Sequence, residues 1–119
     1  MNVAVLGASN KTERYGYKAV KMLEAMGHRP FPIHPILKTI DGLSVYARLT
    51  EIAEPVHTIT VYLSAKNSNK MAGDLFASSA KRVIFNPGAE NPELAAQLRN
   101  KDIEVIEACT LVMLSTGQF

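Results

Sequence analysis

Hydrophobic residues in this chain form short runs that alternate with segments of helical periodicity. The first run occupies residues 2–6 and is continuous, as expected for a strand covered on both faces in the centre of a parallel sheet. From Gly16 the apolar positions follow a helical spacing instead, and Gly27 is a helix-stop signal. The amino-terminal part of the chain therefore predicts a strand, a loop and an amphipathic helix.

The next segment predicts a second strand and a shorter third one. Residues 29–34 have strand character, although Pro30 and Pro32 cannot donate hydrogen bonds to a neighbouring strand. Residues 45–47 predict a short edge strand that follows a turn at Asp41-Gly42.

The second half repeats this rhythm. A short helical turn capped by Thr50 and ended at Pro55 precedes it. Helices are predicted to begin after the capping residue Ser64 and near Asn91. Further strands are predicted at residues 58–63, 82–85 and 103–106.

Strands that alternate with helices at this spacing predict a three-layer α/β sandwich with a Rossmann-like parallel sheet. With residues 45–47 counted as the third strand, the predicted strand order is 3-2-1-4-5-6, in a single domain of residues 1–119. Glu104 and Glu107 mark the last strand as an exposed edge. Ligands of such sheets bind outside the carboxyl ends of the strands. The candidate site therefore consists of the loops after Leu6, Ile33, Leu63, Phe85 and Ile106.

Composition and charge exclude several classes of function. The chain of 119 residues has a net charge of only +2, which disfavours nucleic-acid binding. No apolar run approaches the roughly 20 residues of a membrane span. The first strand begins close to Met1, which leaves no room for a signal peptide, and the single cysteine, Cys109, cannot form an internal disulfide. We therefore expect a cytoplasmic protein that binds neither nucleic acid nor membranes.

The loop after the first strand predicts a phosphate-binding site, but not a simple NAD site. Its small residues Gly7-Ala8-Ser9 allow backbone N–H groups to face a phosphate at the start of a helix. The NAD fingerprint has a second glycine where this chain has Ser9, and an acidic residue where this chain has His34-Pro35 followed by Lys38. A cationic end of the second strand fits a phosphorylated ribose. NADP carries that phosphate on the 2′ oxygen and coenzyme A carries it on the 3′ oxygen.

Four motifs together resemble the small stand-alone CoA-binding proteins. They are Gly7-Ala8-Ser9, Tyr15-Gly16, His34-Pro35 and Asn86-Pro87-Gly88-Ala89-Glu90-Asn91, in matching order and spacing along the chain. This family shares its fold with the CoA-binding domain of succinyl-CoA synthetase α subunits and of ADP-forming acyl-CoA synthetases. The resemblance implies a Rossmann-like domain that binds coenzyme A or an acyl-CoA and that, as a stand-alone protein, has no assigned reaction.

The resemblance also implies, position by position, a set of site residues: Gly7, Ala8, Ser9, Lys11, Tyr15, Gly16, His34, Pro35, Lys38, Tyr62, Leu63, Ser64, Asn86, Pro87 and Gly88. The first loop would hold the CoA phosphates through backbone N–H groups and the hydroxyl of Ser9. His34 would line the nucleotide end, where relatives often have asparagine, and Lys38 would face the 3′-phosphate as a point charge. Residues 62–64 would border the adenine or the pantetheine, and residues 86–88 would form the far wall.

These residues also have structural interpretations. The two glycines suit tight turns and close packing, both tyrosines suit core or rim packing, and Lys38 suits a solvated loop. Cys109 follows the last strand at the carboxyl end of the sheet, where ligands are expected. It is interpreted either as a small buried hydrophobic residue or as a reactive thiol. There is no metal-ligand spacing and no arguable Ser-His-Asp arrangement, so we expect no independent catalytic activity.

Three functions are compatible with these residues. The leading one is a CoA-binding or acyl-CoA-binding protein, and the alternatives are an NADP- or other nucleotide-binding enzyme and an interaction module that has lost its ligand. The polar edge of the last strand leaves room for a homodimer, and an acyl-CoA-metabolising protein is the other class of partner expected.

Overall fold

A computed structural model describes all 119 residues and contains a five-stranded parallel sheet between layers of helices. The strands of this sheet are β1 (Asn2–Leu6), β2 (Arg29–Ile33), β5 (Thr58–Val61), β6 (Arg82–Phe85) and β7 (Glu104–Glu107). A small antiparallel hairpin is formed by β3 (Thr39–Ile40) and β4 (Leu43–Ser44). The helices are α1 (Tyr15–Ala25), α2 (Ala65–Asn69), α3 (Ala72–Ala77), α4 (Pro92–Arg99), α5 (Thr110–Ser115) and a 3-10 helix (Leu49–Glu51). The strand order is β2-β1-β5-β6-β7.

Two hydrophobic cores lie on opposite faces of the sheet, because successive side chains of a strand point to opposite sides. On β1, Val3 and Val5 pack against α1, α5 and the small hairpin. Ala4 and Leu6 face the other core, which α3, α4 and the 3-10 helix cover. The continuous apolar run of the first strand is thus explained by burial on both faces, and the predicted Rossmann-like α/β fold is confirmed.

The predicted third strand is reduced to a single residue. Tyr46 makes one parallel bridge to Ile33, and its N–H donates to the carbonyl of Pro32 at 2.9 Å. The reason lies in β2, where the N–H of Arg29 points towards β1 and bonds to Met1. By alternation the ring nitrogens of Pro30 and Pro32 face the outer edge, which therefore has few donors for another strand. Tyr46 nevertheless lies where the third strand of the predicted order belongs.

Two further differences concern the helices. Thr50 does not cap a helix but lies inside the 3-10 helix, which Arg48 precedes without a side-chain cap. The helix after Ser64 is divided into α2 and α3, although Ser64 caps α2 as predicted, with its Oγ 3.4 Å from the N–H of Asn67. Helix α5, which the sequence patterns did not predict, buries Thr110, Met113 and Leu114.

The carboxyl-terminal strand is an exposed edge, as predicted. β7 pairs only with β6, and its two glutamates are exposed. No helix in the structure has the length and hydrophobicity needed to cross a membrane.

Candidate functional site

The loop after β1 is held close to the start of α1 by two glycines. Gly7 has φ +89°, and a Cβ there would lie 3.0 Å from Cδ2 of Leu63 and 3.2 Å from the carbonyl carbon of Tyr62. Gly16 is buried in the first turn of α1, where a Cβ would overlap the carbonyl oxygen of Gly7. Both glycines thus allow close packing, and Gly16 lets the amino end of α1 contact the loop after β1.

This junction presents several unpaired backbone donors. The N–H groups of Ser9 and Asn10 on the loop, and those of Tyr15, Gly16 and Tyr17 in the first turn of α1, make no hydrogen bond within the chain. The first turn has neither an acidic residue nor a side-chain cap. Free N–H groups at the positive end of a helix are the usual protein environment for a phosphate.

The hydroxyl of Ser9 stabilises the loop itself. Its oxygen accepts a hydrogen bond from the N–H of Lys11 at 3.0 Å, which closes a short side-chain-to-backbone turn. The side chain of Lys11 is exposed and forms no ion pair.

His34 organises the loop that follows β2. Its Nδ1 accepts hydrogen bonds from the N–H groups of Ile36 and Leu37, both at 3.1 Å. In the neutral ring the proton therefore lies on Nε2. An asparagine side-chain oxygen accepts bonds of the same kind at a turn, so histidine preserves the turn here.

The opposite wall of the site is formed by residues that follow β5. Tyr62 extends the sheet, with its N–H bonded to the carbonyl of Leu6 at 2.8 Å. Its hydroxyl is buried and has no hydrogen-bond partner at bonding distance, although the hydroxyls of Thr60 and Thr110, which bond each other at 2.8 Å, lie nearby. Burial raises the pKa of Tyr62 to about 12, so this phenol is neutral and is not a base at physiological pH.

These walls enclose a cleft of about 770 Å3 at the carboxyl ends of β1, β2 and β5, a volume typical of ligand pockets. Its charged lining residues are Lys11, Arg14 and Lys70, and the lining contains no aspartate or glutamate. None of the three cations forms an ion pair. The lining also contains apolar residues: Leu6, Ala8, Ile33, Pro35, Leu37, Ala47, Leu63 and Met71. The cleft thus suits an anion joined to an apolar group.

A second hollow of about 400 Å3 adjoins the cleft and shares Gly7, Arg14 and Tyr62 with it. Its remaining lining residues are Glu13, Tyr15, Gly16, Pro87, Gly88 and Ala89. Together the two hollows form one elongated surface that crosses the Gly7 loop.

The structure brings together most of the residues predicted for the site. The cleft is lined by Gly7, Ala8, Ser9, Lys11, His34, Pro35, Tyr62, Leu63 and Ser64, and the adjoining hollow adds Tyr15, Gly16, Pro87 and Gly88. The two exceptions are Lys38 and Asn86, which line neither hollow.

Asn86 has a structural position instead. It is 2 % exposed, and its Nδ2 donates to Oγ1 of Thr60 at 2.7 Å and to the carbonyl of Val61 at 2.9 Å. Its Oδ1 accepts from the N–H of Thr110 at 2.8 Å, so it joins β5, β6 and α5. Cys109 is half-buried and precedes the first residue of α5, next to this network.

Several lining residues were not among those predicted: Asn10, Arg14, Leu37, Ala47, Asn67, Lys70 and Met71. A signal for three of them exists in the sequence. Asn67 and Met71 follow the cap Ser64 at positions three and seven residues later, which share one face of a helix, and Lys70 lies beside them. Arg14 has no such signal, because its place at the junction depends on the conformation of the loop.

A different hollow, at the amino ends of β5 and β6, is a poorer site for an anion. It has a volume of about 400 Å3, and its lining includes Glu54 and Asp74 but no cation. Nor does any cluster of His, Cys, Asp or Glu in the structure form a metal site.

Comparison with known proteins agrees with this architecture. A solved structure of an uncharacterized protein superimposes with a TM-score of 0.93 at 36% identity, covering 99% of this chain and 97% of that one. Uncharacterized protein YneT of Bacillus subtilis is 23% identical over 104 residues, which are 87% of this chain and 77% of that protein.

The fold also occurs within a larger enzyme. The dinucleotide-forming acetyl-coenzyme A synthetase 1 of Ca. Korarchaeum cryptofilum matches 90% of this chain and 25% of its own length, with a TM-score of 0.76 and 19% identity. The sequence model of the CoA binding domain matches residues 1–115, nearly the whole chain. The resemblance stated from the motifs is therefore confirmed: the chain belongs to the CoA binding domain family.

Proposed function

We propose that this protein binds coenzyme A or an acyl-CoA in the cleft, with the phosphates against the loop Gly7-Ala8-Ser9. The observation that carries the proposal is the composition of the cleft, which combines three unpaired cations with free backbone N–H groups and no acidic residue. Membership of the CoA binding domain family supports the choice of ligand among phosphorylated nucleotides.

The binding mode follows from the distribution of charge along the cleft. The pyrophosphate would lie over the N–H groups of Ser9 and Asn10, with Lys11 and Arg14 beside it. The adenine would occupy the apolar part of the cleft, between the loop that contains Leu37 and the wall that contains Leu63 and Met71.

The pantetheine arm would then cross the Gly7 loop into the adjoining hollow. That hollow is lined by Tyr62, Pro87 and Gly88 and by the exposed Tyr15. An acyl group attached to the thiol would extend towards the same side.

We propose binding without a reaction of its own. Two candidate bases at the cleft are otherwise engaged, because Nδ1 of His34 accepts two backbone hydrogen bonds and the phenol of Tyr62 is buried and neutral. The protein would therefore hold or present the thioester, to another enzyme or as a sensor of its concentration.

Calorimetric titration with coenzyme A tests the proposal directly. We expect one binding site per chain, with NADP binding much more weakly because its shape does not fill the second hollow. Native mass spectrometry of freshly purified protein gives an independent result, since a retained ligand adds its own mass. A folded protein that binds no coenzyme A, or that binds NADP equally well, would contradict the proposal.

A charge placed in the phosphate site provides the matched test. Aspartate at position 9 can keep the hydrogen bond to the N–H of Lys11, so Ser9→Asp should fold while its carboxylate repels the phosphates. Gly7→Asp is unsuitable because of the positive φ and the contacts with Leu63. Asn100→Asp adds the same charge at an exposed position after α4 and should leave coenzyme A binding unchanged. Equal affinities of the two variants would place the phosphates elsewhere.

A further inference from the structure

The cations of the cleft lie on two different walls. Lys11 and Arg14 belong to the loop after β1, beside the free N–H groups. Lys70 belongs to the wall after β5, with Asn67 and Met71 as neighbours in the lining. A ligand with one phosphate centre would need only the first wall. The second cation could bind a further anionic group of the same ligand.

Lys70 is available to a ligand although an acidic residue follows it at the usual helical spacing. Asp74 is four residues later, but α2 ends at Asn69 and α3 begins at Ala72, so no continuous helix joins the two residues. The carboxylate of Asp74 is almost fully buried and is bound by Arg48, at 2.6 Å from Nη2 and 3.2 Å from Nε. The exposed ammonium of Lys70 thus has no carboxylate partner.

Lys38, the cation that the sequence resemblance associates with the 3′-phosphate, has a different environment. It follows the His34 loop but does not line the cleft. Its backbone carbonyl accepts a hydrogen bond from Val45 at 3.0 Å, which ties this segment to the start of the Tyr46 bridge.

We infer that Lys70 binds the 3′-phosphate of coenzyme A and selects ligands that carry it. This inference rests on the proposed function. With the pyrophosphate at the Gly7 loop and the adenine against Leu63 and Met71, the ribose and its 3′-phosphate would lie near the wall that contains Met71. Lys70 lines the cleft one residue before Met71, and its flexible side chain can reach a phosphate as a point charge.

The experiment compares coenzyme A with dephospho-coenzyme A in wild-type protein and in Lys70→Ala. The variant should bind coenzyme A about ten-fold more weakly, the size of one charge-assisted hydrogen bond at a partly exposed site. Its affinity for dephospho-coenzyme A should equal that of the wild type. Lys66→Ala is the matched control, because Lys66 is an exposed lysine within α2, four residues before Lys70, and does not line the cleft.

Lys38→Ala completes the series by testing the other cation. It should retain the wild-type preference for coenzyme A over dephospho-coenzyme A. The inference would be overturned if Lys38→Ala lost this preference while Lys70→Ala kept it. It would also be overturned if Lys70→Ala weakened the binding of coenzyme A and of dephospho-coenzyme A equally. Wild-type protein that binds both ligands equally would also overturn it and leave the proposed function standing. Wild-type protein that binds neither would overturn the proposed function itself.

Discussion

At the scale of single residues, Gly16 matters through the space it leaves free. The carbonyl oxygen of Gly7 occupies the position where a Cβ would be, so the helix terminus and the Gly7 loop approach as closely as a glycine allows. Backbone atoms cannot move aside as a flexible side chain can, so a methyl group at position 16 must separate the loop from α1.

We predict that Gly16→Ala lowers the free energy of unfolding by on the order of 1–3 kcal/mol and weakens coenzyme A binding. Gly73→Ala is the matched control, because Gly73 is in α3 and has nothing within 4 Å of its added Cβ. That variant should gain about 0.5–1 kcal/mol from helix propensity. Urea denaturation measures both changes, and a Gly16→Ala variant as stable as the wild type would contradict the close approach.

The buried hydroxyl of Tyr62 makes stability depend on pH in the alkaline range. Its pKa is raised to about 12 in the folded protein, mainly by burial, whereas the unfolded chain has the ordinary value of 10.0. Above pH 10 the unfolded state therefore binds fewer protons than the folded state. The pH-dependent contribution of Tyr62 to the free energy of unfolding is therefore fully present below pH 10. It is lost as the pH rises from 10 towards 12.

We predict that Tyr62→Phe removes this component of the pH dependence, whose slope approaches about 1.4 kcal/mol per pH unit. At neutral pH the variant should be more stable by about 1 kcal/mol, since it deletes a buried hydroxyl without a partner. Tyr15→Phe, at a tyrosine that is 64% exposed, should keep the wild-type profile. Urea denaturation between pH 8 and about 11 measures the free energy of unfolding of each variant. If this free energy depends on pH in the same way in wild type and in Tyr62→Phe, the prediction is wrong.

At the scale of secondary-structure elements, Asn91 joins α4 to the wall of the cleft. Its Oδ1 caps α4 by accepting from the N–H of Leu94 at 3.1 Å. Its Nδ2 donates to Oγ of Ser68 at 2.9 Å and to Oδ1 of Asn69 at 2.8 Å, both in α2. One buried side chain thus starts one helix and positions another, the helix that leads to Lys70.

We predict that Asn91→Ala lowers the free energy of unfolding by about 1–3 kcal/mol, since it removes a cap and leaves polar groups of α2 unpaired. Loosening of α2 should also weaken coenzyme A binding. Asn100→Ala, at the exposed carboxyl end of the same helix, should change neither quantity appreciably. A variant that loses stability but binds coenzyme A with wild-type affinity would show that the cap does not affect the cleft. That result would contradict the expected weakening of binding.

The predictability of these elements from sequence depended on whether the signal was local. The continuous apolar run of residues 2–6 predicted the central strand, and Ser64 predicted the start of α2. Both signals are local, because periodicity and caps act within a few residues. The reduction of the third strand to Tyr46 depends on which way the prolines of β2 face, and that is decided by pairing with β1. Arg14 likewise reaches the cleft only through the tertiary fold.

At the scale of the whole molecule, cations lie at both ends of the sheet, but the cleft has cations without acidic residues. The carboxyl ends of β1, β2 and β5 meet at the cleft, with its three cations and no acidic residue, although the net charge of the chain is only +2. The amino ends carry cations as well, among them Lys81 immediately before β6. A strand of four residues is about 13 Å long, which exceeds the Debye length of about 8 Å at physiological salt. A ligand in the cleft should therefore sense the cations of the cleft and not the overall charge.

We predict that Lys11→Glu weakens coenzyme A binding by about ten-fold or more, whereas Lys81→Glu leaves it unchanged. The two variants have the same net charge, so their difference measures position alone. Wild-type affinity should fall as sodium chloride is raised, and Lys11→Glu should show a shallower dependence, because part of the screened attraction is already lost. Calorimetric titrations at several salt concentrations supply both comparisons. Equal weakening by the two variants would mean that overall charge attracts the ligand, and that the cations at the Gly7 loop have no special place in recognition.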